Sequence, residues 1–185
     1  MISYVNRKNQ TYYLSSKLTK TGKKRYFFTL NANSFHEHVI PIGFEIYESP
    51  VNANVLLRKI KKKLFNNEEE KTIQDALNKN KSIMFYKIDY KGDRATIYTA
   101  ENKNIIPNNI KINIDEFNLI YSKIVKSGYL EPIMQIIKTD ESYFLRRMTF
   151  RGNCDWFYID SSSNLKILCK KYFKHIYQES FFELM

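Results

Sequence analysis

Cysteine, glycine and proline are scarce in this sequence, and their scarcity excludes several classes of protein. The 185 residues contain 2 Cys, 5 Gly and 4 Pro, whereas 43% of the residues are hydrophobic. This composition does not fit a collagen-like or disordered chain. Two cysteines are also too few for a disulfide-stapled scaffold or a four-ligand structural zinc site. We therefore expect an ordinary globular protein in a reducing compartment, the cytoplasm.

Long hydrophobic runs are missing as well. A membrane-spanning helix needs roughly 18 to 20 apolar residues in succession. The apolar stretch at residues 145–159 is interrupted by Arg146, Arg147, Arg151 and Asp155. The first eight residues, MISYVNRK, lack the apolar core of a secretory signal. We expect neither a membrane span nor export.

Motifs of cofactor and metal sites are also lacking. The glycines stand apart from one another along the chain, whereas phosphate-cradling loops need them clustered. His36 and His38 could face the same side of a strand, but a catalytic zinc needs a third protein ligand, and His175 is distant in the sequence. The sequence therefore predicts no cofactor and no metal site.

Thiol catalysis has little support. Cys154 and His175 would be the nucleophile and base of a thiol enzyme. Cys154 falls at a predicted turn, however, without the helix start that would activate it. Cys169 falls on the apolar stripe of a predicted helix and fits a core position. We assign no catalytic residue and expect a protein that is not an enzyme.

Positive charge is the feature that the sequence has in excess. Lys and Arg number 30 against 19 Asp and Glu, which gives a net charge of +11. Such an excess attracts polyanions, with nucleic acid as the first partner to consider. Most of the cations are Lys, whereas Arg is the better reader of phosphates and guanine edges. An A+T-rich coding bias would also explain the abundance of Lys, Asn, Ile and Tyr, so both explanations stay open at this point.

The amino-terminal third predicts a β-hairpin with a basic tip. Aromatic and β-branched residues at 11–14 and 26–30 flank a turn that contains Gly22. Such residues favour strands, and glycine supplies the positive φ of a tight turn. Two shorter extended segments follow at residues 44–46 and 55–57. The hairpin brings five cations near its tip, namely Lys17, Lys20, Lys23, Lys24 and Arg25.

Helix and strand patterns alternate in the rest of the chain. Acidic residues after Asn67 predict a helix over about 67–79, with Ile73, Ala76 and Leu77 buried. The remaining predictions are a hairpin at residues 82–90 and 94–100, a strand at 110–114, a helix from Asp115 to Lys126, a three-stranded meander at 132–138, 143–150 and 155–159, and a carboxyl-terminal amphipathic helix at 164–179.

These patterns together predict an α+β fold. It would contain antiparallel β-hairpins and a meander with two or three helices, because strands come in runs rather than in alternation with helices. No Ser/Gly/Pro-rich linker divides the chain. We therefore expect one domain over residues 1–185, with a possible seam near 64–68 or 101–109.

Three segments resemble a bacterial protein family without an established activity. They are residues 19–28 (TKTGKKRYFF), residues 43–50 (GFEIYESP) and residues 180–184 (SFFEL). The resemblance covers both ends of the chain and little of residues 60–140. It implies that the two ends belong to one unit, and it implies no catalytic residue or substrate.

Three groups of cations lie beside aromatic residues and form the predicted nucleic-acid-binding site. Cations that neutralise phosphates next to rings on which bases stack are typical of single-strand binders. Alternatively, the aromatic residues fill the core and the lysines are simply hydrated. The groups are Lys17, Lys20, Lys23, Lys24 and Arg25 with Tyr26; Arg58 with Lys61, Lys62 and Lys63; and Arg146, Arg147 and Arg151 near Trp156.

The sequence thus favours a non-enzymatic basic protein that binds nucleic acid mainly through phosphate contacts, either DNA or RNA. One alternative is an interaction subunit whose exposed aromatics, such as Phe181 and Phe182, anchor a partner protein. Another is a metal-dependent nuclease, with Asp89, Asp93 and Glu101 as candidate Mg²⁺ ligands. The sequence leaves the oligomeric state open.

Overall fold

The described chain is built mostly of antiparallel sheet. The computed structural model describes residues 1–33, 36–83, 85–100, 119, 122, 129–149 and 155–184. Within these residues it contains three antiparallel sheets and two α-helices of eight residues or more, which confirms the α+β class. The sheets are larger than isolated hairpins, and the helices are few.

The chain divides into two compact units. The first comprises Met1–Ile60 with Ser122–Tyr129, and the second comprises Lys61–Tyr121 with Leu130–Met185. The expectation of a single domain, with a seam near 64–68 or 101–109, stays a prediction. No helix in the described part of the chain is long and apolar enough to cross a membrane.

The first unit contains a three-stranded sheet and a two-stranded ribbon. The sheet has the order β1 (Ser3–Val5), β2 (Thr11–Leu18) and β3 (Lys24–Thr29), and the ribbon consists of β4 (Phe44–Glu48) and β5 (Val55–Lys59). The β2–β3 hairpin is the one that the sequence predicts. At its tip Gly22 adopts a φ of +75°, a conformation that favours glycine, and its amide donates to the Thr19 carbonyl.

Buried polar contacts hold the first unit together beside a small apolar core. Leu14 is fully buried in β2. The side chain of Asn6, in the turn after β1, is buried and donates to the carbonyl of Ala53 at 2.9 Å. Arg7 donates to the Glu48 carboxylate and to the carbonyl of Ser49. Because buried polar groups are costly without partners, these bonds fix the β4–β5 turn onto the β1–β2 turn.

The second unit contains a five-stranded antiparallel sheet. Its order is β10 (Asp155–Ser162), β9 (Tyr143–Thr149), β8 (Glu131–Lys138), β7 (Arg94–Thr99) and β6 (Tyr86–Lys91). This sheet joins the predicted second hairpin and the predicted meander. β10 runs beyond the predicted end at Ile159 because a register shift between Tyr158 and Asp160 lets its pairing with β9 continue.

Helix α1 (Asn67–Asn78) begins with a capping box one residue earlier than the sequence suggests. The Asn66 side chain accepts from the Glu69 amide at 2.9 Å, and the Glu69 carboxylate accepts from the Asn66 amide at 2.7 Å. These bonds satisfy two amides that the helix start would otherwise leave unpaired. Ile73 and Leu77 are buried as predicted, and Ala76 packs partly buried against the same core.

The carboxyl-terminal helix is shorter than predicted. Helix α2 (Leu165–Tyr172) gives way to a 3-10 turn at Phe173–His175, and a second 3-10 turn follows at Glu179–Glu183. The prediction of a helix through residue 179 is therefore wrong. Helical geometry ends at Ile176, whose ψ is 124°, and Tyr177 then adopts a left-handed φ of +66°. Asn80 donates to the carbonyls of Phe173 and Ile176 at 2.9 and 3.1 Å and satisfies groups that a longer helix would pair internally.

Both helices contribute to one core in the second unit. Leu77 of α1 and Leu168 of α2 join Ile97, Ile136 and Leu145 of the sheet in a single buried cluster. The predicted strand at 110–114 and most of the predicted helix from Asp115 to Lys126 lie outside the described residues.

Candidate nucleic-acid interface

Positive charge is concentrated in the first sixty residues. This segment holds nine Lys and Arg against three Glu, a net charge of +6 out of the +11 of the whole chain. About a third of the sequence thus carries more than half of the excess. The arrangement of these twelve charged side chains decides whether the excess forms a surface.

Each of the three glutamates in this segment has a cationic partner. Lys24 pairs with Glu37 at 2.7 Å, Arg58 with Glu45 at 2.9 Å, and Arg7 with Glu48. Three of the nine cations are therefore neutralised locally. Six have no acidic partner among the described residues: Lys8, Lys17, Lys20, Lys23, Arg25 and Lys59.

Four of these six cations lie on the β2–β3 hairpin, and we call Lys17, Lys20, Lys23 and Arg25 the hairpin cations. All four are exposed. Lys20 and Lys23 belong to the turn, which is ordered because the Thr19 hydroxyl donates to the Lys23 carbonyl at 3.0 Å and accepts from the Lys23 amide at 3.1 Å. Four of the six cations in residues 1–60 that lack an acidic partner in the described part of the chain thus lie at one end of an ordered hairpin.

Lys17 and Arg25 face each other across the hairpin. They are directly paired residues of β2 and β3, so their side chains project from the same face of the sheet. Directly opposed residues have Cβ atoms about 4.5–5.5 Å apart, and like charges in that position destabilise a sheet. The hairpin thus carries a repulsion that an anion between the two side chains would relieve.

Lys24 differs from the hairpin cations. It lies on the other face of the hairpin, where its ammonium contacts Glu37 at 2.7 Å. The hydrogen bond to Glu37 raises the pKa of Lys24. Hydrogen bonds from Lys24 and Ser16 lower the pKa of Glu37. This pair keeps both of its charges and contributes little to the net field of the hairpin.

Aromatic rings accompany these cations and are only partly buried. The Lys17 ammonium lies 5.8 Å from the centre of the Phe27 ring, and the Lys24 ammonium lies 5.2 Å from that of Tyr26. Both rings keep intermediate exposure, and it is Leu14 that fills the core of this sheet. The alternative that the aromatic residues fill the core therefore does not describe Tyr26 and Phe27 well.

An open groove of about 320 Å³ lies next to the hairpin tip. The strand β3 is an edge strand of its sheet and packs against β5 at this place. Side chains of three consecutive β3 residues therefore reach the groove, together with residues of the β4–β5 ribbon. The lining consists of Thr19, Lys24, Arg25, Tyr26, Pro41, Phe44 and Leu57.

The contribution of residues 41–57 to this groove could not be predicted from the sequence. Pro41, Phe44 and Leu57 carry no binding motif, and they meet β3 only through long-range packing. The alternation of Phe44 and Ile46 predicts a strand but does not reveal which sheet edge that strand covers. The sequence offers one signal here, an aromatic residue, Phe44, close to the turn proline Pro41.

The second predicted group does not form one cluster of free cations. Arg58 donates to Glu45 and lies 4.0 Å from the Tyr47 ring centre. Lys63 pairs with Glu70 and lies 5.5 Å from the Tyr90 ring centre. The two other members, Lys61 and Lys62, are exposed.

The third predicted group is mostly engaged inside the second unit. Arg146 donates to Gln135 at 2.6 Å and lies 6.0 Å from the Trp156 ring. Arg147 is only 9% exposed and donates to the carbonyls of Leu184 and Phe182. Arg147 thus anchors the carboxyl-terminal turn, and we leave it out of the candidate interface. Arg151 lies outside the described residues.

The residues of the alternative functions are placed as follows. Phe181 is buried in the core of the second unit, contrary to the expected exposure, because the last 3-10 turn folds onto that core; Phe182 remains 54% exposed. The Asp93 carboxylate lies 3.7 Å from the guanidinium of Arg94 at the β6–β7 turn. Within the described ranges, which exclude Glu101 and Cys154, no three His, Cys, Asp or Glu side chains are grouped to hold a metal.

The comparisons with known proteins assign no family to this arrangement. No family model matches the chain, and no curated protein or solved structure matches it.

Proposed function

We propose that this protein binds nucleic acid through phosphate contacts, with the four hairpin cations as the main contact surface. The observation that carries the proposal is the neutralisation pattern of residues 1–60. All three glutamates are paired, and four of the six remaining cations lie on one exposed hairpin. Codon usage alone does not explain why the cations without an acidic partner are grouped on one hairpin.

Phosphate contacts fit the chemistry of the hairpin better than base reading does. The lysine ammonium is a compact point charge, whereas the planar arginine guanidinium can form two hydrogen bonds to one base edge. Three of the four hairpin cations are Lys. We therefore expect binding that depends on charge and backbone and varies little with sequence. The proposal includes a non-enzymatic role and a cytoplasmic location.

The repulsion between Lys17 and Arg25 supports the same function. A phosphate placed between the two side chains would turn an unfavourable pair into a favourable three-charge cluster. The hairpin geometry is fixed in advance by the Thr19 hydrogen bonds, so binding would order little additional backbone.

A salt titration with poly(dT) and poly(U) tests the proposal. Each neutralised phosphate of a single strand contributes about −0.7 to the slope of log K against log salt, so four contacts give about −2.8. Affinity should then fall about 50-fold for a fourfold rise in salt. Absence of measurable affinity for either polymer at low salt would refute the proposal.

A matched pair of variants separates the hairpin from the general charge of the protein. One variant changes all four hairpin cations to Gln. The control changes four exposed lysines on or directly after the two helices of the second unit to Gln: Lys71, Lys79, Lys166 and Lys170. Both variants lower the net charge from +11 to +7. The hairpin variant should lose most of the affinity and of the salt slope, and equal losses in the two variants would contradict the assignment of the hairpin.

A further inference from the structure

We propose that the groove beside β3 accepts one unpaired base of a single strand, so that the protein selects single-stranded over duplex nucleic acid. This inference rests on the proposed function, because the hairpin cations would hold the phosphates of the same strand. It adds a ligand chemistry that phosphate contacts alone do not require.

The lining of the groove suits a nucleobase. Tyr26 and Phe44 supply aromatic rings, and Pro41 and Leu57 complete the apolar wall. The rings are of intermediate exposure, so they are accessible and not buried in the core. Bases stack on aromatic rings regardless of their sequence because every base has a π-face. The volume of about 320 Å³ lies at the lower end of the range of about 300–1,000 Å³ for small-molecule sites, as a single base requires.

The position of the groove also matches the path of a bound strand. Arg25 is both a hairpin cation and a residue of the groove wall. Because β3 is an edge strand, residues from its two faces meet along the groove. A strand whose phosphates contact Arg25 and the turn lysines would therefore have its next base beside Tyr26. Charge complementarity at the rim and aromatic lining inside thus favour the same ligand.

Duplex nucleic acid can place a base in this groove only at a cost in free energy. Its bases are paired and stacked, and turning one out of a duplex costs a few kcal/mol. A duplex would still contact the hairpin cations, but without the contribution of the groove. The combination predicts binding of both forms with a clear preference for the single strand.

Abasic oligonucleotides provide the direct test. Oligothymidylate of about twelve nucleotides is compared by fluorescence anisotropy with an oligomer of equal length and charge that lacks the bases. The proposal predicts that the abasic oligomer binds about 5- to 100-fold more weakly, with the same salt slope. Equal affinities would overturn the groove proposal and leave phosphate binding intact. If neither oligomer binds at low salt, both proposals fail.

Two substitutions at Tyr26 connect the effect to the groove. Tyr26→Leu keeps an apolar side chain but removes the ring, and it should bring the affinity for oligothymidylate down to that for the abasic oligomer. Tyr26→Phe keeps the ring and should bind like the original protein. Phe44→Leu gives an independent reading from the other wall. If Tyr26→Leu and Phe44→Leu both fold, as judged by circular dichroism, and still discriminate against the abasic oligomer as the original protein does, the base lies elsewhere and the proposal is wrong.

Discussion

Reversal of one charge on the hairpin, Lys17→Glu, should stabilise the hairpin while it weakens binding. An ion pair that faces across strands contributes about 0.2–1 kcal/mol, and like charges in the same position repel by a similar amount because the Coulomb energy only changes sign. Replacement of the repulsion with Arg25 by an attraction is thus worth about 0.4–2 kcal/mol. The substitution also removes the cation–π contact to Phe27, which at 5.8 Å lies near the limit of such contacts and is worth about 0.5 kcal/mol. The net expectation lies between about zero and a gain of about 1.5 kcal/mol.

Native-state hydrogen exchange of the β2–β3 amides is the suitable assay, because it reports the opening free energy of this hairpin rather than of the whole chain. The gain should appear at low salt and largely disappear at about 1 M salt, where the Debye length falls to about 3 Å. The same variant should lose affinity for poly(dT), with a salt slope less negative by about 0.7.

A related control exists in the second unit, where one of the two opposed cations, Arg94, also has the Asp93 carboxylate at 3.7 Å. Lys91 faces Arg94 across the β6–β7 hairpin, and both side chains are exposed. Lys91→Glu should therefore change local stability in the same direction, by a smaller amount because Asp93 already offsets the charge of Arg94, and without a loss of affinity. A decrease in hairpin protection for Lys17→Glu at low salt would refute the repulsion argument. Unchanged binding would remove Lys17 from the interface.

Three further outcomes concern the second unit. Asn66→Ala removes the helix cap and should lower the free energy of unfolding by about 1 kcal/mol in urea titration, whereas Asn66→Asp should retain most of it. Asn80→Ala removes the side-chain donor of the Ile176 carbonyl, whereas the Phe173 carbonyl still accepts from the Ile176 amide, and it should cost about 1–3 kcal/mol in the same assay. Burial raises the pKa of the Cys169 thiol to about 12 from the usual 9.0. Mass spectrometry should therefore find Cys169 unalkylated in the folded protein near pH 9 and alkylated in urea. As the pH rises from about 9 to 12, the unfolded chain releases this proton while the folded chain keeps it, so stability should fall; rapid alkylation of the folded protein would contradict this environment.

Local features of this fold could be predicted from the sequence because their causes are local. Gly22 marks the hairpin tip through its backbone conformation, and the acidic residues after Asn67 mark the start of α1 to within one residue of its cap, Asn66. The spacing of apolar residues after Leu165 was misleading, since Phe173 and Ile176 are buried through 3-10 and turn geometry rather than through a continued helix. The spacing of apolar residues indicates which side chains are buried, but several backbone conformations can bury residues at the same spacing.

The candidate site could be predicted only in part for the same reason. The hairpin cations are near neighbours in the sequence, so the hairpin alone brings them together. The pairing of Lys24 with Glu37, and of Arg58 with Glu45, depends on contacts between separate strands and loops. The burial of Arg147 depends on the carboxyl-terminal turn, more than thirty residues away in the sequence. Such distant contacts decide which cations remain free, and composition does not encode them.

The way in which Arg147 holds the carboxyl-terminal turn has a consequence for how this region can vary. Its guanidinium binds main-chain oxygens of Phe182 and Leu184, which every amino acid offers equally. Side chains at the exposed positions 182 and 183 are therefore interchangeable as far as this anchor is concerned. The arginine itself is not, since lysine has no planar fork with which to reach two carbonyls. Substitutions at the carbonyl side of this contact should therefore be tolerated, whereas substitution of Arg147 should not.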